Sequence, residues 1–137
     1  KKMDSPAIQK AIDACHKAGG GTVLCLPEPI CRTTIVLKDN VTCIGERCPI
    51  LGTTDYKAMI TLILYGRLGY RCGWALLVAV DAKNVALEGE GAIDGQGSAL
   101  KERHIKVDTR PEGQRWGLRP FLLRWVRCEG VRVEGVT

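Results

Sequence analysis

The sequence predicts an all-β solenoid closed by one N-terminal helix, and three observations carry that reading. First, a five-residue pattern recurs as Val41-Thr42-Cys43-Ile44-Gly45, Val85-Ala86-Leu87-Glu88-Gly89 and Val131-Arg132-Val133-Glu134-Gly135. Each copy follows Asn or Gly and, earlier still, an apolar run (Ile35 to Leu37, Leu76 to Val80, Phe121 to Val126). A repeated strand-turn-strand unit marks a solenoid. Second, from Asn84 to Gly97 apolar side chains alternate with small or charged ones and glycines recur at short intervals, which gives two short strands separated by tight turns. Third, the 137 residues are 45% hydrophobic but only 5% aromatic, and 16 are glycine. That composition suits narrow stacked turns better than a helical bundle with bulky core residues.

The repeat spacing is 44 residues from Val41 to Val85 and 46 from Val85 to Val131. A β-solenoid coil closes in roughly 22 to 25 residues, so each interval holds either two coils or one coil with a surface insertion of about 20 residues. The insertion reading is preferred. Residues 53–73 are irregular and broken by Gly66, Gly69 and Gly73, while residues 98–118 are polar and charged with no clear apolar period. The whole of 1–137 is expected to be one partial domain.

Taken in order, Ser5 can cap a helix over 5–18, with Pro6 where the first turn tolerates proline and with Ile8, Ala11, Ile12 and Cys15 as one apolar stripe. Gly19-Gly20-Gly21 ends it. The first coil of a parallel solenoid has an open edge, and this helix is expected to cover it. Thr22 to Leu26 is the first strand, stopped by Pro27 and Pro29. Ile30 to Leu37 alternates in part, Lys38-Asp39-Asn40 turns the chain, and Val41 to Ile44 is the next strand. The first coils therefore occupy 22–137.

The formal charge of +5 is spread over both insertions and several strands. Without a basic helix or interleaved aromatics this disfavours nucleic acid as a partner. No apolar run approaches the 18 residues a membrane-spanning helix needs, so no membrane is expected as a partner. The opening Lys1-Lys2-Met3-Asp4 does not read as a leader peptide, which leaves export open. Seven cysteines (Cys15, Cys25, Cys31, Cys43, Cys48, Cys72, Cys128) leave at least one unpaired, and their spacings match no common zinc frame. They are expected mostly as small buried residues on strand faces, with one disulfide open to an oxidising compartment.

The opening Ala7-Ile8-Gln9-Lys10-Ala11-Ile12-Asp13, then Gly19-Gly20-Gly21-Thr22-Val23 and Leu26-Pro27, resembles the start of many pectin-lyase-like right-handed parallel β-helices. The central Gly89-Glu90-Gly91-Ala92-Ile93-Asp94-Gly95-Gln96-Gly97, followed by Arg119-Pro120-Phe121 and Cys128-Glu129-Gly130-Val131-Arg132-Val133, is similar to glycoside hydrolase family 28, the polygalacturonases. Thr34 to Val41 and Ile50-Leu51-Gly52 fit the same family; Pro29, Cys31 and Arg47-Cys48-Pro49 depart from it.

The resemblance implies an incomplete right-handed parallel β-helix, about four coils, from the N-terminal part of an enzyme. That parent would cleave α-1,4-galacturonosidic bonds of pectic polysaccharide with inversion, outside the cell or in the periplasm. Such enzymes use aspartates on Asn-x-Asp and Asp-Asp motifs, supported by Gly-His-Gly and Arg-x-Lys. None of these occurs here. No catalytic, cofactor-binding or metal-binding residue is therefore assigned, no cofactor is expected, and the chain alone is expected to be inactive. With its last coil uncovered, it is expected to self-associate. The alternative is a noncatalytic β-helix used as a polysaccharide-binding module, adhesin or tailspike.

Could other residues supply the chemistry? Inversion needs an acid and a base carboxyl group about 6.5 to 9.5 Å apart. Glu88, Glu90 and Asp94 are the nearby carboxylates, but Glu88 is expected to point away from the side occupied by Val85 and Leu87, and Asp94-Gly95 has turn chemistry. Gly89, Gly91 and Gly95 do not have dinucleotide spacing. His16 and His104 have no Gly-x-Ser-x-Gly partner. Arg110, Arg115, Arg119 and Arg124 could bind carboxylates of a pectic chain only if the fold gathers them.

Overall fold

The computed structural model describes residues 5–25, 33–45, 50–55, 75–109, 111–113 and 120–137. In chain order they form α1 (Ser5–Lys17), β1 (Gly21–Cys25), β2 (Ile35–Val36), β3 (Val41–Gly45), β4 (Ile50–Leu51) and β5 (Ala75–Val80). These are followed by β6 (Ala86–Glu88), β7 (Ile93–Asp94), α2 (Gly97–Val107), β8 (Phe121–Val126) and β9 (Arg132–Glu134). The strands make three sheets, ordered β1-β3-β6-β9, β2-β5-β8 and β4-β7. All pairings are parallel. From β2 onward the chain visits the three sheets in a fixed rotation, adding one strand to each per circuit.

The register answers the question left by the repeat spacing. Gly21 lies beside Val41, Thr42 beside Ala86, and Ala86 beside Arg132. The 44- and 46-residue intervals each separate directly paired strands, so each is a single circuit carrying an insertion. The insertion over 53–73 lies largely outside the described residues. That over 98–118, read from sequence as polar and charged with no clear apolar period, forms α2 in its first half. This helix buries only Leu100, and one apolar contact on an otherwise charged segment leaves almost no 3.6-residue signal to read.

Inside the circuits, alternate residues of each strand meet. Ile35, Leu37, Val41, Cys43, Ile50, Leu77, Ala79, Val85 and Leu87 form one buried cluster with Ile8 and Ile12 of α1. The helix does more than cover apolar surface. The Gln9 side chain accepts the Val36 N–H at 2.8 Å through Oε1 and donates to the Val36 carbonyl at 3.0 Å through Nε2. One side-chain amide thus stands in for the neighbouring strand that β2 lacks on that edge. Ser5, read from sequence as a helix cap, is buried and its Oγ accepts the Thr33 N–H at 3.0 Å.

Two corners stack residues of left-handed backbone. Asn40 and Asn84 (φ 59° and 55°) lie one above the other, with Asn84 Nδ2 donating to Asn40 Oδ1 at 3.2 Å, and Gly130 (φ 65°) continues the column. Asparagine tolerates this conformation better than other side chains. The second corner, absent from the shorter first circuit, pairs Asp81 (φ 51°) with Arg127 (φ 50°) through two hydrogen bonds of 2.5 and 2.7 Å. The Arg127 guanidinium holds the Asp81 carboxyl below its ordinary range. A folded-state pKa below the unfolded one gives stability that is present above the unfolded value and lost as pH falls through the folded one. Asp81→Asn should therefore lower the melting temperature slightly at pH 7, and thermal melts in strong acid should show no difference from the unsubstituted chain.

The far end of the stack is open. Phe121, Leu122 and Val133 are 47%, 39% and 44% exposed, whereas Ala75 and Leu87, the partners of Phe121 and Val133 in the preceding circuit, are 0% and 1%.

Candidate functional site

The sheet β4-β7 is where both insertions leave the stack. Its two strands are joined by Ile50 N–H to the Ala92 carbonyl and Gly52 N–H to the Asp94 carbonyl, both 2.7 Å. Space at Gly52 is tight, since an added Cβ would lie 3.2 Å from Gly95 Cα and from a Leu76 methyl. Immediately after β7 the Asp94 carboxylate accepts the Gln96 N–H at 2.8 Å, an Asx turn that places Gln96 in left-handed backbone (φ 49°) ahead of α2. Gln96 Nε2 then donates to the Gly52 carbonyl of the previous circuit. Arg103 of α2 reaches Thr54 Oγ1 at 3.3 Å, and the Asp55 N–H donates to Thr53 Oγ1 at 3.0 Å.

These bonds fasten the start of one insertion to the start of the other. They create a polar ledge above β4-β7 bearing Thr53, Thr54, Asp94, Gln96 and Arg103. Only Asp94-Gly95 was legible as a turn. Gln96 and Gly52 lie 44 residues apart and gave no local sign of meeting.

The three carboxylates weighed as an acid and base are divided among different environments. Asp94 is exposed on β7 and engaged in its turn. Glu88 lies on a different sheet, half-buried and ion-paired with Arg132 of the next circuit. Glu90 is exposed in the turn between those sheets. Glu88 and Asp94 thus stand on different sheets, with Glu90 on the turn that joins them. Glu88 does point outward as expected, but it is held there rather than free in solvent.

The histidines are apart as well. His16 Nδ1 lies 3.2 Å from the Asp39 carbonyl, and His104 is half-buried on α2. Of the arginines considered for carboxylate binding, Arg124 stacks over Phe121 at 4.3 Å from the ring centre. Arg110, Arg115 and Arg119 lie outside the described residues. Among the described residues no group of three or more His, Cys, Asp and Glu side chains is placed to hold a metal ion. No described helix is long and apolar enough to cross a membrane.

Two solved structures share this arrangement over nearly the whole chain. A provisionally assigned glycosyl hydrolase of Parabacteroides merdae ATCC 43184 aligns with a TM-score of 0.74 and 25% identity, covering 96% of this chain and 55% of its own. A hyperthermoactive exopolygalacturonase from Thermotoga maritima aligns with a TM-score of 0.69 and 24% identity, covering 98% of this chain and 37% of its own. The chain has a pectin-lyase-like glycoside hydrolase fold. It spans about half of the first of these proteins and just over a third of the second. No family model and no curated protein sequence matches the chain.

Proposed function

We propose that this chain is the N-terminal, scaffold-forming part of a family 28 glycoside hydrolase. The whole protein would hydrolyse α-1,4-galacturonosidic bonds of pectic polysaccharide with inversion, in the periplasm or outside the cell. The observation that carries this reading is the pair of similarities, each spanning almost all of this chain and only part of a larger enzyme. The motif Gly89 to Gly97 supports it, because its Asp94-Gly95-Gln96 turn builds the ledge on β4-β7 from which the insertions depart. In this reading the stack is a right-handed parallel β-helix and α1 is its cap. The acid and base stand on later coils.

The test compares this chain with the longer product of its gene on polygalacturonate. The 137-residue chain should release reducing ends only at background, because inversion needs an acid and a base carboxyl group and the chain carries none of the aspartate motifs that the resemblance implies for them. The longer protein should release them with inverted anomeric configuration, followed by nuclear magnetic resonance. A longer protein that binds the polymer without cleaving it would favour the noncatalytic module instead. Turnover by the short chain that is lost in Asp94→Asn would overturn the placement of the chemistry.

A further inference from the structure

The cations of this chain are held in different ways. Arg127 is paired with Asp81, Arg132 with Glu88, Lys38 with Asp13 and Lys83 with Glu129, each across an ion pair. Arg103 is exposed on α2, and its Nη1 donates to a neutral group, Thr54 Oγ1, at 3.3 Å. A hydroxyl positions a guanidinium without neutralising it, and this bond uses one of five donors. Leu100, the residue by which α2 is buried, lies one turn before Arg103, and exposed Lys106 lies one turn after it. Residues three apart are neighbours on a helix surface, so α2 sets two cations side by side and keeps the first of them over the ledge on β4-β7.

The other groups of the ledge narrow what such a cation would bind. Thr53 Oγ1 accepts the Asp55 N–H and Thr54 Oγ1 accepts Arg103, so each hydroxyl still has a proton to donate. The exposed Asp94 carboxylate accepts the Gln96 N–H and has lone pairs left to accept more. A phosphate or sulfate brings acceptors alone and meets Asp94 with like charge. A neutral sugar brings hydroxyls but no charge for the guanidinium. A uronic-acid chain brings both: hydroxyls that donate to Asp94 and accept from Thr53 and Thr54, and carboxylates that a guanidinium grips through two parallel hydrogen bonds.

We propose that Arg103, with Lys106 beside it, binds the carboxylate of one unit of a polyuronate lying on this ledge, and that this contact makes the ledge prefer the free acid to its methyl ester. Esterification removes the negative charge and one of the two oxygens that a fork-shaped donor pairs with, so the discrimination falls on Arg103 rather than on the hydroxyl contacts. Lys106 is a flexible point charge and adds attraction without geometry. Arg103 is thus a substrate-binding residue with no part in the bond-breaking step. The inference rests on the pectic reading for its polymer, and it concerns recognition alone.

The experiment is calorimetric titration of the full chain with α-1,4-linked trigalacturonate, with its methyl ester and with inorganic sulfate, repeated for Arg103→Gln, Arg103→Lys and Arg127→Gln. The unsubstituted chain should bind trigalacturonate about tenfold more tightly than either of the other two, as charge-assisted hydrogen bonds allow. Arg103→Gln should abolish the advantage over the ester, and Arg103→Lys should restore only part of it. Arg127→Gln, at a different corner of the stack, should keep it. Equal affinity of the unsubstituted chain for acid and ester, or no binding of the acid at all, would overturn the proposal without any variant having to fold. So would an Arg103→Gln chain that still prefers the acid. Sulfate bound as tightly as trigalacturonate would reduce the ledge to a general anion site and overturn it as well. The pectic reading is tested separately by the longer gene product: cleavage of polygalacturonate there, with Arg103→Gln binding unchanged here, overturns this inference and leaves that reading standing.

Discussion

Gly89→Ala will destabilise the chain by about 3 to 5 kcal/mol, enough to prevent folding if the total lies in the common range of about 5 to 15 kcal/mol. The backbone at Gly89 has φ +120°, a conformation that side chains rarely adopt. A Cβ there would also lie 2.3 Å from the Gly45 carbonyl oxygen. That carbonyl cannot simply swing aside, because it accepts the Gly91 N–H at 3.0 Å. Gly135 repeats the situation one circuit later, with φ +75° and an added Cβ 2.6 Å from the Gly89 carbonyl oxygen. Gly135→Ala should cost less, because that residue stands in the exposed last circuit. Gly97 is the control. It opens α2, is exposed and has nothing within 4 Å of an added Cβ, so Gly97→Ala should be neutral or stabilising by up to about 1 kcal/mol. Urea denaturation of the three variants is the measurement. A Gly89→Ala protein as stable as Gly97→Ala would contradict the close stacking of circuits at this corner.

Leu87→Ala should cost about 2 to 5 kcal/mol, the usual range for truncating a buried leucine. The side chain is 1% exposed and lies between Cys43 of the preceding circuit and Val133 of the next, beside a small cavity that Cys25 and Cys43 also line. An existing void gives neighbours little with which to fill a larger one. The adjacent Glu88→Ala separates the two faces of the strand. Its carboxylate bridges to Arg132, so the change should cost up to about 1 kcal/mol, as partly exposed ion pairs do. Val133→Ala, at the same register position one circuit on but 44% exposed, should cost about 1 kcal/mol. Denaturant melts should rank the losses as Leu87→Ala, then Val133→Ala and Glu88→Ala. If Glu88→Ala equals Leu87→Ala, the inward and outward assignment of β6 is wrong.

The five-residue repeat was legible for a physical reason that the structure supplies. Each copy begins with a valine, Val41 and Val85 being buried, and ends at a corner where successive circuits approach too closely for side chains at Gly89 and Gly135. Stacked parallel circuits impose the same local constraint at every turn, so the constraint is written into the chain each time. The first helix was legible because Ile8 and Ile12 mark one face at helical spacing, and both are fully buried. The repeat also gave the 44- and 46-residue spacing, and the register showed that it separates directly paired strands.

What the sequence determined by itself was therefore what is periodic: the repeated strands, the corner glycines and asparagines and the apolar face of the first helix, while the register of the strands decided that each interval is one circuit. Tertiary structure alone decided whatever depends on two circuits meeting at a point that neither circuit marks locally. Gln9 completes the edge of β2, Gln96 binds the Gly52 carbonyl, Glu88 finds Arg132, and the tips of Cys25 and Cys43 come within 3.5 Å. Each of these contacts joins residues between 18 and 44 positions apart. Their side-chain types are unremarkable in their own segments, and only the stacking register of the parallel strands brings their atoms within bonding distance.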